Sequence, residues 1–133
     1  MFENAEIVHR YTRAQAIADG VLHDFTALAS EFGFTKSFVI AHHAWTEAVY
    51  WPQDADEGQS EKGRAWDVIV QAHFAIASAR EAKRVPTDRL EFTVYRLVHD
   101  SGDPTPRPIT LVIHIGPGDA GEPVFTVMAP RDE

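Results

Sequence analysis

Apolar residues recur along this chain with two periods, and the change between them divides it. Over the first two thirds the spacing is helical. Thr12 stands three residues before Gln15, the spacing of a capping box. A short helix is therefore expected over residues 13–19, with Gly20 taking the left-handed position after its end. Asp24 is the expected N-cap of a second helix carrying Phe25, Leu28, Ala29 and Phe32, stopped by Gly33 with Phe34 packing back. Ser37 is expected to cap a third helix over 38–50, with Phe38, Ala41, Trp45, Ala48 and Val49 on one face. Trp51-Pro52 ends it, because the residue before proline avoids the helical region.

Residues 53–61 form the most polar stretch and read as an exposed loop. A long helix should follow over 62–82, burying Trp66, Ile69, Val70, His73, Phe74 and Ala77. Arg80, Lys83 and Arg84 complement the dipole at its C-terminal end. The last third alternates with period two. Leu90, Phe92, Val94 and Val98 form one run, Ile109, Leu111, Ile113 and Ile115 a second, and residues 124–128 a third. The expected fold is α+β, three to four helices followed by a three-stranded antiparallel β-meander packed on the long helix, in one domain spanning residues 1–133.

Composition narrows the function classes. With 133 residues and 44% hydrophobic content, the chain can bury a core without covalent staples. It has no cysteine, which removes disulfides, Cys-based zinc sites and a cysteine nucleophile. Twelve basic against 20 acidic residues give a net charge of −8, which disfavours direct binding to nucleic acid. No apolar run is long enough to span a membrane, and the start of the chain lacks the basic-then-apolar pattern of a secretory signal. A cytoplasmic location is the expectation.

Three stretches carry a resemblance when taken in order: Tyr11-Thr-Arg-Ala-Gln-Ala-Ile-Ala-Asp-Gly-Val-Leu22, Gly63-Arg-Ala-Trp-Asp-Val68 and Gly116-Pro-Gly-Asp-Ala-Gly-Glu-Pro123, together with Tyr50-Trp51-Pro52. The chain resembles an uncharacterised family of small acidic bacterial proteins encoded on plasmids, integrative elements and phages. The resemblance implies a mobile-element setting and assigns no catalytic residues.

Candidate chemistry begins with seven histidines. His43 and Glu47 are four apart on the expected third helix, and His73 on the long helix can add a third ligand, a set suited to zinc or another divalent metal. Against it, no H-E-x-x-H pattern is present, and the simpler reading makes His43 a surface partner of Glu47. Asp67, beside Trp66 and near Arg64, marks a polar site. Tyr50 and Trp51, next to Asp54, Asp56 and Glu57, mark an interaction surface for a protein partner or a second copy of the chain. The Gly116–Pro123 connection reads as a hairpin and not a phosphate loop, since it joins two strands and carries Asp119 and Glu122. No nucleophile elbow is present. The leading expectation is a non-enzymatic, cofactor-free binding or modulator protein acting on a host or defence protein. A small metal-dependent enzyme and a homo-oligomeric structural module are the alternatives.

Overall fold

The computed structural model describes residues 11–52, 59–82, 88–98, 102–103 and 105–132. Asp54, Asp56, Glu57, Lys83 and Arg84 lie outside the described residues.

Among the described residues the first element is α1 (Arg13–Ala18), and its capping box forms as expected: Thr12 Oγ1 accepts from the Gln15 amide while the Gln15 side chain accepts from the Thr12 amide. Gly20 follows at φ 77°, which lets the Gly20 and Val21 amides reach the Ile17 and Ala16 carbonyls. The chain then forms β1 (Leu22–Asp24), α2 (Thr26–Ser30), β2 (Phe38–Ala41) and α3 (His42–Ala48). The long helix α4 (Glu61–Glu81) is capped by Ser60. Strands β3 (Arg89–Arg96), β4 (Arg107–Pro117) and β5 (Pro123–Met128) and a short 3₁₀ turn (Pro130–Asp132) complete it.

These strands make one five-stranded mixed sheet in the order β1-β2-β5-β4-β3. The α+β class therefore stands, but the three-stranded meander is corrected: β3, β4 and β5 are antiparallel neighbours, and β5 continues into a parallel pairing with β2, which pairs with β1. The two unexpected strands lie where helices were expected to start. Phe38-Val39-Ile40 is buried on both faces, so no alternation reveals it, and Ser37 caps nothing. Its hydroxyl instead accepts from the guanidinium of Arg13.

Register fixes the two faces. His23, Ile40, Val127, Ile113 and Leu90 stand opposite one another in turn across all five strands. That face, with Phe38, Leu111, Phe92 and Val94, packs on α2, α3 and α4. The contact stripe of α4 is Ala65, Val68, Ile69 and Ala72, one residue before the expected stripe and so rotated by about 100°. Phe74 is 53% exposed and Trp66 only half buried. Small Ala65 and Ala72 let the helix lie close to the sheet, which larger aromatic side chains prevent.

Candidate functional site

The alternation of β3 sends Leu90, Phe92 and Val94 into the core, and the next inward position is Arg96. A strand at the sheet edge thus delivers a guanidinium where an aliphatic side chain is expected. Arg64, in the first turns of α4, faces it. Both residues are 4% exposed. Buried cations require compensation, and here it comes mainly from carbonyl groups. Arg96 Nη2 donates to the Arg64 carbonyl at 3.0 Å, and its Nη1 to the Tyr95 carbonyl at 3.1 Å and to Asp67 at 3.3 Å. Arg64 Nε donates to the Val49 carbonyl at 3.1 Å, and its Nη1 reaches Gln59 and the Leu97 carbonyl. The guanidinium carbon also lies 5.0 Å from the centre of the Trp51 ring, a cation–π distance.

The compensation is incomplete. Arg96 Nε is buried without a hydrogen-bond partner among the described residues. Asp67, which accepts from Arg96, is itself 62% exposed. Burial, and then the neighbouring Arg96 charge, push the Arg64 pKa down to about 10, against the opposing pull of Asp67 and Glu61. Above the two arginines opens a cleft of about 440 Å³, with Tyr50, Trp51, Val98 and Ile109 among its walls. Tyr50 and Val98 are exposed at its mouth. The result is a concave, largely apolar surface over two cations, with Glu47 also on its wall but tied to Arg131, a shape suited to an acidic group carried on an apolar body.

Of the residues singled out in the sequence, Tyr50, Trp51 and Asp67 come together here. Asp67 bonds Arg96, not Arg64, and Trp66 turns away to meet Phe32 edge-on at 5.3 Å. Arg96 was missed, although a charge on the inward phase of an otherwise apolar alternation signals it. His43, Glu47 and His73 have separate partners. His43 Nδ1 lies 2.7 Å from Asp132, Glu47 accepts from Arg131 at 2.9 Å, and His73 sits between the Phe32 and Phe34 rings. Among the described residues, no three His, Asp or Glu side chains are grouped to hold a metal ion.

A different histidine pair does form. His23 of β1 and His42 of α3 place ring nitrogens 3.1 Å apart, and Trp45 stacks on His23 at 4.2 Å. Burial, then the nearby His42, lower the His23 pKa, and Glu61 acts in the opposite sense. The ring centres are 5.3 Å apart with nearly coplanar rings, so the two nitrogens point at each other along a hydrogen bond and not toward a common third point.

The 116–123 connection is a hairpin, as expected, and has a further role. Both Asp119 carboxylate oxygens accept from α1, one from the Arg13 amide at 2.8 Å and one from the Ala14 amide at 3.1 Å. The loop thereby fixes the start of α1, and Arg13 in turn bonds Ser37, Thr126 and the Phe125 carbonyl. No helix among the described residues is long and apolar enough to cross a membrane.

No curated protein and no solved structure matches this chain. A family model does match, over residues 1–133, and the chain belongs to that family of unknown function, DUF6573.

Proposed function

We propose that this protein is a non-enzymatic binding or modulator protein that engages a host or defence protein, and that the cleft over Arg64 and Arg96 receives an acidic side chain of that partner. The observation that carries the reading is the pair of buried guanidinium groups beneath exposed Tyr50 and Val98. In a chain of net charge −8, two cations at the base of an apolar cleft are a local inversion of charge. Aromatic and arginine side chains are also the residues that dominate protein interfaces.

A photo-reactive amino acid placed at position 50 or 98 tests this in the protein's native cells. The reading expects the same partner to be cross-linked from both positions, and none from position 91 on the opposite sheet face. No partner, or the same products from all three positions, would contradict it.

One observation favours a second reading, the homo-oligomeric module. β3 ends the sheet, and Tyr95 on it is 65% exposed. A cross-link from position 95 to another copy of the chain would support that reading instead.

A further inference from the structure

A second pocket, of about 210 Å³, lies along the C-terminal half of α4, away from the arginine cleft. Its helix wall is His73, Ile76, Ala77 and Arg80, spaced i, i+3, i+4 and i+7 and so on one face. Helical side chains lean toward the N-terminus, which carries Arg80 back over Ile76 and Ala77 toward His73. The loop after α2 supplies Phe34 and Lys36 from the other side, and Phe125 of β5 lines it as well.

Three observations point to an anionic ligand. His73 lines the pocket, and its side chain makes no hydrogen bond or ion pair among the described residues. Lys36 and Arg80 make no side-chain hydrogen bond or ion pair among the described residues. Among the described residues, no acidic side chain lines the pocket, although acids outnumber bases 20 to 12 in the chain. A carboxylate offers two coplanar oxygens, which one arginine fork satisfies. Three separate bases approaching from a helix and a loop match the several oxygens and higher charge of a phosphate group. The volume is below that of an ordinary drug-sized site, which limits the ligand to a small one.

We propose that Lys36, His73 and Arg80 bind a phosphate group, either inorganic phosphate or a small phosphate monoester whose apolar part lies on Phe34 and Phe125. This site is separate from the arginine cleft and stands whether or not the cleft binds a protein.

Titrating the isotope-labelled protein with inorganic phosphate, and separately with phenyl phosphate, while recording histidine ring and arginine side-chain NMR signals tests it. Sodium chloride at matched ionic strength is the control. His73 and Arg80 signals are expected to shift saturably, with Arg64 unmoved. Arg80→Ala, an exposed position whose replacement leaves the core intact, should weaken binding about tenfold or more, and Lys36→Ala should weaken it also. Tighter binding of phenyl phosphate assigns the ligand to phosphate monoesters, and equal or weaker binding assigns it to free phosphate. No saturable shift, the same shift with chloride, or unchanged affinity in both variants overturns the proposal.

Discussion

Arg64 lies in the first turns of α4, where the helix dipole is positive and a cation is least welcome. It is held there by carbonyl acceptors on two other segments, Val49 after α3 and Leu97 after β3. Removing the side chain leaves both carbonyls short of a donor and empties the space over Trp51. Arg64→Ala should therefore cost about 2–4 kcal/mol in urea unfolding. Asp67→Ala removes an exposed partner and should cost less than about 1 kcal/mol. Equal losses in the two variants would mean that the ion pair, and not the carbonyl network, holds the arginines. Asp67 and Arg64 were legible in the sequence because they sit together in one short motif. Arg96 was less legible, because the apolar run of Leu90, Phe92, Val94 and Val98 is interrupted at its position by a charge.

His23 gives the residue scale a pH dependence. Its folded pKa is lowered from the ordinary value of 6.5, so in the window below 6.5 the unfolded chain binds more protons at this site. Stability then rises with pH through that window and falls on acidification. The melting temperature should drop between pH 7 and pH 5, and His23→Gln should flatten that part of the profile. A profile unchanged by His23→Gln would show that other groups set the acid limit.

At the scale of elements, α1 and α4 make the sharpest statements. α1 has only six residues, too few to persist alone, so its capping contacts matter more than its propensity. Asp119→Ala should cost about 1–2 kcal/mol and speed hydrogen exchange at α1 amides while the β3–β4 amides stay protected. Exchange unchanged in α1 would mean that the hairpin does not anchor it. For α4, the structure places Ala72 against the sheet and Phe74 in solvent. Ala72→Asp buries an unpaired charge and should cost more than about 3 kcal/mol, whereas Phe74→Asp should stay within about 1 kcal/mol. The reverse order would restore the stripe expected from the sequence.

That stripe was misplaced for a physical reason. Trp66, Val70 and Phe74 are the larger apolar residues, and weighting by size selects them. Close packing of a helix on a sheet selects small residues instead. The capping box, both glycine stops and the antiparallel β3–β4–β5 run were legible, because each rests on local chemistry. β2 was not, because its burial on both faces and its parallel partner β5, far along the chain, leave no local pattern.

At the scale of the whole molecule, a chain of net charge −8 carries, among its described residues, two basic concavities at opposite ends of α4. One holds buried arginines under an apolar mouth, the other three basic side chains around a small pocket. The candidate site was half legible: Tyr50, Trp51 and Asp67 were in view, but their meeting point depends on β3 crossing beneath the start of α4, a long-range contact that local periodicity does not encode. The metal reading drew on a helix pair, His43 and Glu47, whose members face Asp132 and Arg131.

Native mass spectrometry of the chain recovered gently from its own cells tests the central claim most directly. The account predicts a metal-free complex with a different protein, abolished by Val98→Asp, which adds a negative charge at the exposed mouth of the cleft. A chain recovered alone, in complex only with itself, or carrying one metal ion per chain would contradict it.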